Sequence, residues 1–154
     1  MPESPIPPSR LATFPAPGRF HHVGFVVASI AEIGQGFASS IGVQWNREII
    51  HDPRQQARVT FLRSSRSNDP AIELVEPDGE KSPLHKFLGR GGGLHHICYE
   101  VDCVSTQLEQ SRAAGCLIVK QPLPAAAFGG RLIGWVYSPQ RLLVEYLERD
   151  RGSR

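Results

Sequence analysis

The sequence predicts an α+β domain in which two β-α-β-β-β modules pair as a curved mixed sheet around a cleft. Three observations carry this. A strand-like motif occurs twice, as Phe20-His21-His22-Val23-Gly24-Phe25-Val26-Val27 and Leu94-His95-His96-Ile97-Cys98-Tyr99-Glu100-Val101, with second histidines 74 residues apart. Each copy leads into a helix-like stretch that stops at glycine. Each then closes on a matching strand, Ala71-Ile72-Glu73-Leu74-Val75-Glu76 or Leu143-Val144-Glu145-Tyr146-Leu147-Glu148. Units this small cannot bury a sheet face alone, so two of them pair into one domain.

Composition sets the bounds. At 154 residues, 40% hydrophobic and 21% charged, the chain suits one domain with a closed core. A net charge of +2 carries no footprint for nucleic acid. No apolar run approaches the ~18 residues of a membrane span, and the start lacks a secretory stretch. Cys98, Cys103 and Cys116 show no C-x-x-C spacing, which implies neither a disulfide framework nor a zinc knuckle. The expectation is a cytoplasmic protein with reduced thiols that binds neither nucleic acid nor membrane.

The elements follow in order. Residues 1–19 read as a proline-rich tail, flexible or docked on the surface, because six of the thirteen prolines fall before residue 18. Proline fixes φ and removes a backbone donor, which excludes helix and central strand. The domain spans 20–150, with module one at 20–88, a linker at 89–93 and module two at 94–148. The opening strands are rich in β-branched and aromatic residues. The helices run from Ser29 to about Ile41 before Gly42, and from Val104 to about Ala114 before Gly115, glycine being the usual stop in left-handed φ. Further strands are expected over 44–50 and 57–62 in module one, and over 117–121 and 132–137 in module two. Ser82-Pro83 starts a short helix through Leu84, Phe87 and Leu88. Gly89-Arg90-Gly91-Gly92-Gly93 is the flexible join.

Strand alternation separates the paired histidines. His21 shares a face with Val23, Phe25 and Val27, and His95 with Ile97, Tyr99 and Val101; these apolar faces belong under the helices. His22 and His96 then face the cleft. Glu73 and Glu145 hold equivalent places in the closing strands, so the repeat brings two imidazoles and two carboxylates around its pseudo-twofold axis. That donor set suits a divalent zinc, cobalt, nickel, manganese or iron ion. Each residue alone has an ordinary structural explanation, such as a packed histidine or a solvated glutamate. Four in register are harder to explain that way, because a buried carboxylate needs a partner.

The His-Val-Gly-Phe opening, the His-His-Ile-Cys-Tyr-Glu-Val opening and the Val-Glu ending resemble the vicinal oxygen chelate superfamily, which includes glyoxalase I, bleomycin resistance proteins and extradiol dioxygenases. The stretches Ile72-Glu73-Leu74-Val75-Glu76-Pro77, Ser82-Pro83, Lys86-Phe87-Leu88 and Gly93-Leu94-His95-His96-Ile97-Cys98 resemble its methylmalonyl-CoA epimerase branch. The resemblance covers roughly residues 20–148. It implies one divalent ion (Co, Mn, Zn or Ni) per site, held by His22, Glu73, His96 and Glu145, and a homodimer acting on an acyl-CoA substrate. The implied activity moves the α-proton of a thioester such as methylmalonyl-CoA through a metal-stabilised enolate. Glu145 ranks first as the proton-moving group and Glu73 second. Some epimerases carry a further carboxylate on the third strand; Ala57-Arg58-Val59-Thr60-Phe61 has none. The turn Ser138-Pro139-Gln140-Arg141 is also shorter than the family's Gly-rich turn.

Alternatives stay open at this point. A glyoxalase I-like lyase on a glutathione hemithioacetal uses the same four ligands. A non-catalytic small-molecule binder on this fold generally lacks them. An extradiol dioxygenase needs only two His and one carboxylate. Arg63, Arg66, Lys81, Lys86, Arg90 and Lys120 are candidates for the phosphates of coenzyme A. Trp45 and Trp135 read as core or cavity wall, Cys98 as packing, and Gly129-Gly130 as a loop over the cavity mouth.

Overall fold

The computed structural model describes residues 18–152. The expected tail lies outside the described residues apart from its last two, and Arg19 already belongs to the first strand. Module one supplies β1 (Arg19–Val26), α1 (Ile30–Ile41), β2 (Gln44–Trp45), β3 (Ile50–Asp52), β4 (Ala57–Arg63), β5 (Ala71–Pro77) and α2 (Leu84–Gly89). Module two supplies β6 (Gly93–Val101), α3 (Val104–Ala113), β7 (Leu117–Pro124), a 3-10 turn (Ala126–Phe128), β8 (Leu132–Tyr137) and β9 (Leu143–Glu148).

All strands join one mixed nine-stranded sheet in the order β2-β4-β5-β1-β6-β9-β8-β7, with β3 paired to β4. Each opening strand pairs in parallel with its own closing strand, β1 with β5 and β6 with β9. The modules meet where β1 runs antiparallel to β6, within one chain.

Alternation places the apolar side chains as expected, but not His21 and His95, which are the extra residues at two register shifts between β1 and β6. His95 therefore lines a cavity beside Phe87 and Trp135, and His21 meets Phe128 edge-on, instead of lying under the helices. Phe25 and Val27 pack with Ile30, Ala38, Leu62 and Leu74 under α1. Ile97 and Tyr99 pack with Val101, Val104, Leu108 and Val136 under α3. Each fully buried aliphatic side chain such as Leu74 or Leu108 contributes about 1.5–3 kcal/mol. The opposite face of the sheet carries a second apolar layer, including Val59, Val75, Ile133 and Leu147.

Two details were not legible in the sequence. The strand expected over 44–50 is broken into β2 and β3. Asn46 Oδ1 accepts the Glu48 N–H at 2.9 Å, and Arg47 takes a left-handed φ of 65°, which turns the chain. The second detail concerns the final glutamate of each repeat. Glu76 accepts the N–H of Ile30 at 2.6 Å, and Glu148 accepts that of Val104 at 3.2 Å. Each ties the start of its module's helix to the closing strand and satisfies a donor that the helix itself leaves free.

Candidate metal centre

Four strands adjacent in the sheet, β5, β1, β6 and β9, each contribute one side chain to the same face: Glu73, His22, His96 and Glu145. His22 Nε2 lies 3.1 Å from His96 Nε2 and 3.2 Å from Glu73 Oε2. His96 Nε2 lies 3.1 Å from Glu73 Oε2 and 3.5 Å from Glu145 Oε2. The four donor atoms lie within 4.8 Å of one another. All four residues are buried, with exposures of 0% for His22, 4% for Glu73, 2% for His96 and 2% for Glu145.

The donor set fits a divalent cation. Two imidazole nitrogens and two carboxylate oxygens point at one another out of water, an arrangement that is costly unless a cation or shared protons sit among them. Glu145 Oε1 is buried without a hydrogen-bond partner. Gly24, beside His96 in the register of β1 and β6, makes room for the ring: a Cβ there would sit 2.0 Å from the imidazole Cε1. Only glycine tolerates so close an approach.

The outer histidine of each pair backs the inner one. His21 Nδ1 lies 2.9 Å from His22 Nδ1, and His95 Nδ1 lies 2.9 Å from His96 Nδ1. An inner ring that offers Nε2 to a cation carries its proton on Nδ1, and the outer ring's Nδ1 accepts it. Burial and the neighbouring inner histidine pull both outer rings down to about 4, which keeps them neutral and able to accept.

The two carboxylates differ without a cation. Burial opposes ionisation of Glu73, but the charge on His22 and hydrogen bonds from His22 and His96 hold it below the ordinary carboxylate range. Burial, with the Glu73 charge adding to it, pushes Glu145 up to about 8 against the pull of His22. Burial lowers His22, yet the adjacent Glu73 outweighs it and the ring is raised; burial dominates at His96, which is lowered. Cys98 is fully buried, and burial, with the Glu145 and Glu73 charges adding to it, holds its thiol well above the ordinary value.

Glu73, His96 and Glu145, with the outer His95, reach a cavity of about 220 Å³ whose wall is mainly apolar, with Val59, Val75, Leu84, Phe128, Ile133 and Trp135. His22 sits beneath it, stacked against Phe128 at 5.8 Å between ring centres. Gly129, in left-handed φ, ends the 3-10 turn that carries Phe128 into this wall. Trp135 lines the cavity, whereas Trp45 packs under α1 and donates to Thr60 at 2.7 Å. β4 presents Ala57 and Val59 to the cavity, so this wall has no carboxylate.

Among the six candidate cations, Lys120 alone lines this cavity. Arg63 lies over the Phe61 ring at 5.2 Å, and Arg66, Lys81, Lys86 and Arg90 are exposed. Sequence reasoning missed Asp52 and Gln55, which also line the cavity. The Asp52-Pro53 turn signal was available, but nothing local says that a turn between β3 and β4 folds back over the site. Among the described residues no helix is long and apolar enough to cross a membrane.

Comparison with known proteins agrees with this geometry. Residues 21–134 match the family described as the glyoxalase/bleomycin resistance protein/dioxygenase superfamily. The ethylmalonyl-CoA/methylmalonyl-CoA epimerase of Cereibacter sphaeroides is 28% identical over 116 residues, covering 74% of this chain and 84% of that protein. The uncharacterized protein YqjC of Bacillus subtilis is 29% identical over 135 residues, covering 84% and 91%. The crystal structure of methylmalonyl-CoA epimerase from Mycobacterium tuberculosis superposes with a TM-score of 0.73 at 22% identity, covering 90% of this chain and 94% of that one. With the family match, the duplicated modules and the four converging donors all on one sheet, the chain belongs to the glyoxalase/bleomycin resistance protein/dioxygenase superfamily.

Proposed function

We propose that this protein is a divalent-metal-dependent epimerase of acyl-CoA thioesters that carry an acidic α-proton, with methylmalonyl-CoA as the model substrate. The observation that carries the reading is the buried quartet of His22, Glu73, His96 and Glu145 at one end of an apolar cavity, with a Glu145 oxygen left without a partner. The relative from Cereibacter sphaeroides, named for two acyl-CoA epimerisations, supports the substrate class.

His22, Glu73, His96 and Glu145 would hold the ion. When bound, it supplies positive charge where negative charge grows on the thioester oxygen as the α-proton leaves. The residues do the rest. The outer histidines fix the inner rings in the tautomer that leaves Nε2 free. Glu73, held ionised by its two imidazole neighbours, is the fixed anchor. Glu145, whose second oxygen lacks a partner, accepts the α-proton. Return of a proton to the other face of the planar carbon completes epimerisation. The ionised Glu73 carries none, so that proton is drawn from solvent, and Glu145 releases its own to solvent to restore the starting state. The apolar walls otherwise keep water out and so protect the carbanionic species from adventitious protonation.

The apolar β4 wall favours a second reading. With no carboxylate presented by β4, a single base on the β9 side can remove and return the proton on one face. That is the proton shift of a glyoxalase I-like reaction on a hemithioacetal.

One experiment separates these. The metal-loaded protein is incubated with single-epimer methylmalonyl-CoA in deuterated water and followed by NMR. Loss of the α-proton signal together with inversion is the expected result. Exchange without inversion supports one-base chemistry. No exchange, with turnover of a hemithioacetal instead, overturns the epimerase reading.

A further inference from the structure

Beside the four ligands, the cavity wall carries hydrogen-bond donors that the proposed proton transfer does not use. Lys120 is half-buried and lines the cavity. Its position follows from an irregularity in β7: Ile118 pairs with Val136 and Lys120 with the adjacent Trp135, so Val119 is an extra residue on that strand. Strict alternation would put Lys120 on the same face as Ile118, which packs under α3. The bulge turns Lys120 to the cavity instead, a known use of bulges.

Lys120 Nζ donates to Gln55 Oε1 at 2.9 Å. That bond fixes the amide orientation, and Gln55 Nε2 is left buried without a partner. Trp135 Nε1, a donor only, is also buried without a partner, and Trp135 lines the same cavity. Asp52 does not serve as their acceptor, because its carboxylate is taken up by backbone N–H groups. Oδ1 accepts from Arg54 at 3.1 Å and Gln55 at 3.2 Å, and Oδ2 accepts from Ala126 at 2.9 Å. Asp52 thereby clamps the turn that holds Gln55 against the 3-10 turn.

The register places these donors relative to the quartet. Lys120 pairs with Trp135, and Trp135 with Glu145. Neighbouring strands are about 4.8 Å apart, so the Lys120 backbone stands about 10 Å from that of Glu145, within reach of a long side chain. A cation and two unpartnered donors at this distance from the ligand set suit an anionic group on the part of the ligand that reacts.

We propose that Lys120, Gln55 and Trp135 form the recognition site for the free carboxylate of the acyl group, and so select carboxylated acyl thioesters over neutral ones. This rests on the acyl-CoA reading above. A carboxylate offers two oxygens: one can turn toward the quartet while the other accepts from Lys120 and its neighbours. A cation and two donors at fixed positions discriminate by charge, because a neutral acyl chain would leave the donors unpaired. Neither the proton-moving role of Glu145 nor the ligand set depends on this assignment.

The test compares two probes that differ only in the carboxylate, methylmalonyl-CoA and propionyl-CoA, by calorimetric titration of the metal-loaded protein. Wild type should bind the carboxylated probe at least 10-fold more tightly. Lys120→Met should erase that preference, a loss of about 10- to 100-fold for a hydrogen-bonded charge, while leaving propionyl-CoA binding unchanged. Lys120→Arg should restore most of it. Trp135→Phe, which keeps an aromatic ring and removes the N–H, should give a smaller loss in the same direction. Cobalt titration of each variant should give wild-type metal affinity. Retention of the preference in Lys120→Met overturns the proposal, as does equal weakening of both probes or loss of metal binding. If wild type binds neither CoA ester, the acyl-CoA reading has failed, and free methylmalonate tests the donors alone. Binding to wild type but not to Lys120→Met then sustains them, and equal binding overturns them.

Discussion

The two modules share a plan but not a chemical state. Module one gives Glu73, which lies within 3.2 Å of both inner imidazole nitrogens and stays ionised. Module two gives Glu145, whose nearest inner imidazole nitrogen is 3.5 Å away and whose Oε1 has no partner. The repeat also differs two residues after each inner histidine. Gly24 in module one clears space for the His96 ring, whereas its counterpart Cys98 fills space beside Ala125, Ile133 and Leu147. Duplication thus supplies the quartet by symmetry, and departures from symmetry give its two carboxylates different surroundings, which the proposed function reads as an anchor and a proton carrier.

The largest expected effect falls on the ligands. His96→Ala and His22→Ala should each lower cobalt affinity by more than the ~10–100-fold that an outer hydrogen-bonding partner is worth. His95→Ala and His21→Ala should stay within that range, as measured by calorimetric titration. Equal losses for inner and outer histidines would break the division between ligands and outer partners.

A smaller effect separates Gly24 from its counterpart Cys98. Gly24→Ala forces a methyl group against the His96 ring, and overpacking of this kind costs about 1–3 kcal/mol with loss of metal affinity. Cys98→Ala removes a buried thiol and should leave metal affinity near wild type. Thermal melts with and without cobalt read both.

The carboxylates should also differ in pH dependence when the metal is removed. The folded chain keeps a proton on Glu145 up to about 8, while the unfolded chain releases it near 4.5. Between these values the folded state binds more protons, so its stability falls as pH rises, by at most about 1.4 kcal/mol per pH unit from this group. Glu73 has the opposite sign. Its folded value lies below the ordinary one, so its contribution is present above about 4.5 and is lost as pH falls below that. Denaturant titrations of the metal-free protein from pH 5 to 8 should show Glu145→Gln flattening the decline; an unchanged slope would refute the assignment.

The smallest difference lies at the helix starts. Glu76→Gln, which weakens the 2.6 Å bond to Ile30, should cost more than Glu148→Gln at the 3.2 Å bond to Val104. Each falls in the ~0.5–2 kcal/mol range of capping contacts.

Much of this was legible in the sequence, for a physical reason. Alternation along β1 and β6 turns His22 and His96 to the cleft, and repetition pairs Glu73 with Glu145, so the quartet needs no three-dimensional knowledge. Alternation misplaces His21 and His95, because a register shift at each takes it off the helix-covered face. The outer histidines' contact with the inner rings, the helix-start bonds of Glu76 and Glu148, and the cavity-facing Gln55 and Lys120 were not legible. Gln55 arrives through a turn whose path is set by Asp52, and Lys120 through a bulge that alternation cannot foresee. Long-range placement of this kind leaves no periodic trace.

The division between anchor and proton carrier is tested most directly by α-proton exchange of methylmalonyl-CoA in deuterated water, with Glu145→Gln and Glu73→Gln compared at saturating cobalt. An amide oxygen can still coordinate but cannot accept the proton as a carboxylate does. Glu145→Gln should keep bound metal and lose exchange by about 10²–10⁴-fold, the worth of a general base. Glu73→Gln should weaken metal binding more than Glu145→Gln does, and retain the larger share of exchange once metal is saturating. Near wild-type exchange in Glu145→Gln, with the large loss falling on Glu73→Gln, would contradict the assignment and exchange the two roles.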